Sequence, residues 1–443
     1  MENIKVKLFA IAKDEAAYIP QWVFHHFYFG FDEIEIWLNN IEDNSVEICE
    51  KIATIFPQFK YKVVDDLLFE CKEKNIHFQE QAYNISYQQA RDSGFSHILY
   101  IDIDEFWVHK SFELTIKDYL DNFTVADTIS FNWAFDNALI SNQLFHQVFN
   151  QSQLVFKNNH VKSLVRMSQK VIKTHIHNHH IKNGLQILAN GEKLCIDSNT
   201  FEGSIVPDYQ FIKYQHELDD AFIYHTLFRS QIEYLSSLLR GRRHTTTKEL
   251  IKLNRWGYVN QSDGINFHIQ EVLINLYNKK YIDFLIDSEL LLNVIKGQKF
   301  IIDRFNKVKS FIANEKTNDD ITRVLHGITI NGIAQKEYKT KFHIDQLLLS
   351  ENAELFLSGW LVDDGYDNDI IIKFKNLQNN EELRGTIKRI NRPDVIQQVS
   401  QRAPLNCGFE FKAINFSGGC IPISVELLSF DYESGVVTLG IGA

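Results

Sequence analysis

The chain of 443 residues is short of several things, and each shortage excludes a class of protein. Cysteine occurs five times, at Cys49, Cys71, Cys195, Cys407 and Cys420, an odd number with no Cys-x-x-Cys spacing. That excludes a disulfide-dense secreted scaffold and predicts a reduced, cytoplasmic compartment. Six prolines and twenty glycines are too few for a linker-dominated or collagen-like chain. No apolar run approaches the ~20 residues that a membrane span needs. The first apolar stretch, residues 8–12, stops at Lys13-Asp14-Glu15, too short for the core of a secretory leader. Positive charge is also scarce. Lys plus Arg number 46 against 57 Asp plus Glu, a net charge of −11, which argues against broad nucleic-acid or anionic-membrane binding.

Length alone predicts roughly three units of about 150 residues each. The first 130 residues alternate strand and helix signals. Strands are expected at 6–12, 33–38, 61–64 and 97–103. Helices are expected at 16–29, closed by Gly30, and at 77–93, where Phe78, Ala82 and Ile85 share a face and Gly94 ends the run. Such alternation implies crossover connections and a mostly parallel sheet covered on both faces. Residues 128–136 alternate strictly. Ile129, Phe131, Trp133 and Phe135 point one way, and Ser130, Asn132, Ala134 and Asp136 point toward a cleft. Residues 231–312 are mainly helical, and beyond Phe342 short strands recur at turn spacing, as in a β-sandwich. The expected division is an α/β unit at 1–245, a helical section and linker at 246–340, and an all-β accessory domain at 341–443.

Tyr100-Ile101-Asp102-Ile103-Asp104-Glu105-Phe106 is the most informative segment. Continued as a strand, it puts Asp102 and Asp104 on one side, with Cα atoms about 6–7 Å apart. An apolar run precedes them, so the carboxylates emerge where the strand leaves the sheet, the usual ligand edge of open α/β folds. A carboxylate pair there suits Mn²⁺ or Mg²⁺ and the oxygens of a diphosphate. Asp367-Asn368-Asp369 repeats the spacing but follows no apolar strand, and reads as a solvated turn.

The order of the other elements narrows the reaction. Ala10-Ile11-Ala12-Lys13-Asp14-Glu15 is followed by Gln21-Trp22 with His25-His26, and then by Asn39-Asn40 through Asp43-Asn44-Ser45. Further on come Asp102-Ile103-Asp104, Lys162 through Arg166, and Tyr224-His225 leading to Arg229-Ser230. Taken together, residues 4–245 resemble bacterial family-2-like and family-92-like glycosyltransferases of the GT-A fold. The resemblance implies an α/β, Rossmann-like, mostly parallel catalytic domain. It also implies inverting transfer of a sugar from a nucleotide-sugar, most often a UDP-sugar, to a glycan hydroxyl. By the same resemblance Ala10, Lys13, Glu15, Asn39, Asn40 and Asp43 border the nucleoside. Asp102 and Asp104 hold the metal and diphosphate, with His225 a further metal or phosphate ligand. The acidic residue that the family places before Asn-Asn is Leu38 here, so a base or ribose contact is either lost or supplied by Asp65 or Asp66. Residues 358–363 with Arg392-Pro393-Asp394 and Gly408-Phe409 resemble a small β-sandwich appended to many bacterial glycosyltransferases.

Inverting transfer needs a base for the acceptor proton, and Glu105 and Asp136 are the candidates. Lys162 and Arg166 read either as a solvated face or as phosphate contacts, and the resemblance favours the second. His175, His177, His179 and His180 could form a zinc site; the plainer reading is a polar strand beside the site, with His177 or His180 touching donor phosphate or acceptor. Arg240 opens the densest positive patch, continued by Arg242, Arg243 and His244, which is either a helix end or a lid over the diphosphate. Trp133 or Trp256 could stack on sugar rings. The overall expectation is a metal-dependent bacterial glycosyltransferase, cytoplasmic or at the inner face of the membrane, that extends a lipopolysaccharide or capsule glycan. Peripheral membrane association and homo-oligomerisation remain open, and no nucleic-acid partner is expected. The rivals are a metal-dependent phosphoesterase and a non-enzymatic glycan-binding protein.

Overall fold

The computed structural model describes residues 4–136, 144–195, 203–240, 252, 255, 257, 258, 264–314, 319–328, 340–349, 355–363, 370–376, 385–398, 407–413, 423–429 and 437–441. The patch Arg242, Arg243 and His244, Trp256 and the second acidic triplet at 367–369 lie outside the described residues.

The N-terminal half alternates β1 (Val6–Ala12), α1 (Ile19–Tyr28), β2 (Glu33–Leu38), α2 (Ser45–Ile55), β3 (Phe59–Val63), α3 (Asp65–Glu73), α4 (Phe78–Asp92) and β4 (His97–Tyr100). It continues through β5 (Glu105–His109), α5 (Ile116–Leu120), β6 (Thr128–Asp136), β7 (Ser152–Arg166), β8 (Val171–Lys173), β9 (His180–Ile181) and β10 (Gln186–Leu188). Then come α6 (Asp208–Phe211), β11 (Ala221–His225), α7 (Gln231–Leu238), β12 (Ile265–His268), α8 (Glu271–Asp287), α9 (Leu291–Asn314) and α10 (Asp319–Val324).

The main sheet runs β3-β2-β1-β4-β7-β6-β11-β5, with β10 beside β6 and β12 beside β7. Strands β3, β2, β1 and β4 are parallel, as are β6 with β10 and with β11. The long β7 runs antiparallel to both β4 and β6 and joins the two parallel parts. This is the α/β, mostly parallel architecture that the strand–helix alternation predicts.

Period-2 alternation in β1 explains its two coats. Leu8, Ala10 and Ala12 belong to the large core shared with α1 and α2, whereas Phe9 and Ile11 face the second core under α4. There Phe9 meets Trp37, Tyr83 and Tyr100 edge-on at 5.2–5.8 Å, favoured ring geometry. Helix α1 starts at a proline in its first turn and ends before Gly30 at φ +85°, where a Cβ would come within 2.9 Å of Thr115. It buries two histidines. His25 donates to the Trp107 carbonyl and accepts from the Tyr277 hydroxyl, while His26 donates to the Trp22 carbonyl and accepts from the Trp107 N–H.

Residues beyond 245 enter this same core. Phe267, Tyr277, Phe284, Leu285 and Val294, from β12, α8 and α9, cluster with Leu8 and Ala10. Farther along, β13 (Thr340–Leu349), β14 (Leu355–Asp363), β15 (Ile370–Asn376), β16 (Gly385–Ile390), β17 (Gly408–Ala413), β18 (Ile423–Ser429) and β19 (Val437–Ile441) form two antiparallel sheets, β13-β14-β17-β16 and β15-β18-β19. Among the described residues no helix is long and apolar enough to cross a membrane.

Candidate active site

Because β2, β1 and β4 are parallel neighbours, their carboxyl ends share one edge of the sheet. Asp14 and Asn40 turn the chain there through left-handed backbone, at φ +52° and +47°. The loops tie to each other. Asn39 donates through Nδ2 to the Ala12 carbonyl, Glu42 N donates to Asp14 Oδ1, and Asp43 accepts from Ala16 N, Ser45 N and the Ser45 hydroxyl. Asp65, from α3, accepts from Asn40 N at 2.7 Å. Lys13 lies 3.6 Å from Glu42. Asn39 and Asp43 therefore build the loops first of all, although Asn39 Oδ1 is buried with no hydrogen-bond partner among the described residues.

The acidic triplet departs from the strand expectation. Strand β4 ends at Tyr100, and residues 101–104 form a turn closed by Glu105 N donating to the Asp102 carbonyl. Turn geometry replaces alternation as the reason the carboxylates project. Glu105 braces the turn by accepting from Asp102 N through Oε2 at 2.9 Å. Lys162, on β7, places Nζ 3.2 Å from Asp102 Oδ2 and 3.3 Å from Glu105 Oε2. Asp104 Oδ2 lies 3.6 Å from His225 Nε2, and the Asp104 carbonyl accepts from both Thr226 N and its hydroxyl.

Electrostatics follow from these contacts. Burial pushes the Glu105 carboxyl up to about 7, against the pull of Lys162. Burial also acts upward on Asp104, but His225, Arg229 and Arg240 outweigh it and hold the carboxyl well below the usual range. For Lys162 the loss of water is overcome by Asp102 and Glu105, so its ammonium is held more tightly than usual.

A second wall comes from β6. Its register shifts between Asn132 and Ala134, a β-bulge that resets the alternation. Phe131 and Ala134 consequently share the core, while the Trp133 ring stacks on His160 at 5.0 Å and meets His177 and His225 edge-on. The Trp133 Nε1–H is buried with no acceptor among the described residues. His177 donates to the Val161 carbonyl, and burial beside Lys162 lowers its pKa to about 4. The same bulge corrects the placement of Asp136. Instead of sharing the face of Ser130 and Asn132, it follows Ala134, and its carboxylate accepts from the Tyr224 hydroxyl and lies 3.2 Å from His146 Nε2.

Cations from distant elements surround the β1 loop. Glu15, 3 % exposed, is paired with Arg229 at 3.3 Å and Arg240 at 2.5 Å. Asp14 is paired with Arg304 of α9 at 3.2 Å. The Arg229 guanidinium covers the Tyr18 ring at 3.3 Å, and the Tyr18 hydroxyl donates to Glu233. Sequence reading missed Arg304, Tyr18 and Glu233. The one available signal was Ser230 with Glu233, a capping box that opens α7.

Two residues assigned to the site by resemblance lie apart from it. Ala10 is wholly buried in the middle of β1, with no face on the edge. Arg166 pairs across from His97 at the opposite end of β4 and donates to the Thr124 carbonyl. Four residues of strand separate it from Lys162, about 13 Å. The remaining histidines do not converge: His179 is buried and bonded to the Ser163 carbonyl and His175 N, and His180 is exposed. Among the described residues no group of three His, Cys, Asp or Glu side chains is placed to hold a metal ion by itself.

No protein-family model matches the chain, and no curated protein matches it. Among solved structures it is similar to S. aureus TarS, with a TM-score of 0.27 and 11% identity over 99% of this chain and 77% of that one. It is similar to S. aureus TarS 1-349 in complex with UDP, with a TM-score of 0.27 and 12% identity over 71% of this chain and 93% of that one. HddC from Yersinia pseudotuberculosis matches with a TM-score of 0.21 and 12% identity over 40% of this chain and 73% of that one. Likenesses this loose leave the function to be read from the side chains.

Proposed function

We propose that the chain is an inverting glycosyltransferase that moves a sugar from a nucleotide-sugar, a UDP-sugar by its sequence resemblance, to a hydroxyl of a bacterial surface glycan such as lipopolysaccharide or capsule. The observation that carries this reading is the meeting of Asp102, Asp104, His225 and Lys162 at the carboxyl edge of the parallel strands, where α/β sheets present their ligands. Trp133, whose N–H has no partner among the described residues, forms the adjoining wall.

The donor set fits Mn²⁺ or Mg²⁺. An oxygen of Asp104 and a nitrogen of His225, 3.6 Å apart, would hold such an ion and leave it open to phosphate oxygens. Asp102, whose carboxylate is held by Lys162, would meet such an ion only through water or a phosphate oxygen. Such an ion would neutralise charge on the departing diphosphate. Lys162 and Arg240 supply fixed positive charge toward the same group. The acceptor oxygen attacks the anomeric carbon, the bond from that carbon to the diphosphate oxygen breaks, and the hydroxyl proton passes to a base. Glu105 is 1 % exposed and spent on bracing the turn, so the base role falls to Asp136, 12 % exposed.

Thermal-shift measurements with UDP, GDP, CDP and dTDP sugars, with and without Mn²⁺, test the reading. One nucleotide should raise the melting temperature, more so with Mn²⁺, and Asp104→Ala should abolish the metal-dependent part. No shift with any nucleotide would favour the glycan-binding rival, and nucleotide-independent phosphate release would favour the phosphoesterase.

A further inference from the structure

Beside the acidic turn lies a narrow cleft, open to solvent, that no step above uses. Its walls include Tyr18, just ahead of α1, Gln21 of α1, His146, Thr226, Tyr281 of α8 and Gln298 of α9. We propose that this cleft is the binding site for the terminal sugar of the acceptor, a neutral pyranose, with Gln298 receiving one of its hydroxyls. The inference rests on the glycosyltransferase reading and adds the place and chemistry of the second substrate.

Position is the first argument. Thr226 lines the cleft and also donates twice to the Asp104 carbonyl, so the cleft begins one residue from His225. His146, on the same wall, lies 3.2 Å from Asp136. A hydroxyl held here is one side chain away from the proposed base, and the donor edge is at the rim.

Chemistry is the second. Two tyrosine rings suit the C–H faces of a sugar, and two glutamine amides suit its hydroxyl rim. The charged groups of the wall already have counter-charges or donors: Arg229 is with Glu15, and Glu233 accepts from Tyr18, the Ser230 hydroxyl and Phe145 N. A balanced wall favours an uncharged ligand over a phosphate or a uronic acid.

The third argument is an unmet hydrogen bond. Gln298 is 3 % exposed, and its Oε1 has no donor among the described residues. Buried amide oxygens rarely go unsatisfied, so this one calls for a ligand donor. The approach of α9 that carries Gln298 here is itself tight, because a Cβ on the preceding Gly297 would lie 2.7 Å from Ala17 N.

Saturation-transfer NMR on the full chain with UDP present, using a panel of methyl α- and β-glycosides of glucose, galactose, mannose and N-acetylglucosamine, tests the inference. At least one glycoside should bind, and Gln298→Leu should weaken it at least fivefold while leaving the UDP-induced thermal shift unchanged. Should Gln298→Leu melt far below the wild type, Gln21→Leu takes its place with the same expectation. Unchanged glycoside affinity in the variant, or a wild type that binds UDP but none of the panel, overturns the assignment. A wild type that binds no nucleotide overturns the glycosyltransferase reading instead.

Discussion

Lys162 Nζ lies 3.3 Å from Glu105 Oε2, and both side chains are 1 % exposed. Fifty-seven positions of sequence separate them, yet each is the other's reason to be charged in a dry place. Removing one partner of such a pair strands the other, at about 3–5 kcal/mol. Glu105 escapes part of that because burial already brings its carboxyl to about 7 and lets it take up a proton. Lys162→Met should therefore destabilise by about 2–3 kcal/mol at pH 7 in urea unfolding. Adding Glu105→Gln should recover at least half. A single variant within 0.5 kcal/mol of wild type (about the scatter of surface changes) would contradict the coupling.

Stability should also fall in mild acid through α1. Burial lowers His25 to about 3 and lowers His26 well below its ordinary value. In each case one ring nitrogen already accepts a hydrogen bond, so a proton has no place to go. Below about pH 6.5 the unfolded chain binds protons that the native chain refuses, so stability drops as pH drops. The loss is about 2 kcal/mol per imidazole between pH 6.5 and 5. Urea midpoints measured across that range check it, and His25→Phe should shed about a quarter of the slope, because His97 and His177 are also held down to about 4 by burial. A flat profile in the wild type would refute the assignment of both rings as neutral.

Trp133→Ala removes the ring that packs on His160, His177 and His225. Loss of one aromatic platform is worth about 1 kcal/mol, or roughly fivefold in affinity. The donor KM should rise by about that factor with kcat changed less, as steady-state nucleotide release would report. An unchanged KM removes Trp133 from the donor wall.

Gly297→Ala probes the α9 contact. The added methyl meets Ala17 N at 2.7 Å and Ala16 Cβ at 2.9 Å. Overpacking of this kind costs about 1–3 kcal/mol, even though alanine is the better helix former. A lowered Tm with weakened nucleotide binding is expected, since Ala16 and Ala17 adjoin Glu15. A stabilised variant would mean that α9 can move off without consequence.

How much of this was visible in the sequence depends on how local its cause is. Strand β2 and the full span of β6 follow from alternation alone, and β1 from its apolar run. The acidic triplet was found because its neighbours are apolar, but its shape was misread, since nothing in Asp102-Ile103-Asp104 distinguishes a fourth strand residue from a turn. Asp136 was misplaced for a related reason: a bulge at Asn132–Ala134 leaves the alternating pattern intact while changing which face it addresses. Arg304 and Gln298 carried no readable signal at all. Each is one polar residue on a long amphipathic helix, and only three-dimensional packing says which loop it meets.

Arg304 reaches Asp14 across 290 residues of chain. A ribosome makes proteins from the amino end, so β1 and its loop leave the tunnel long before α9 exists. Through most of synthesis Asp14 and Ala17 await the helix that will neutralise the one and press against the other. The nascent chain thus acquires its sheet early and its chemistry late, and a prematurely released fragment ending before α9 would hold the acidic turn without the arginine, glycine and glutamine that finish its surroundings.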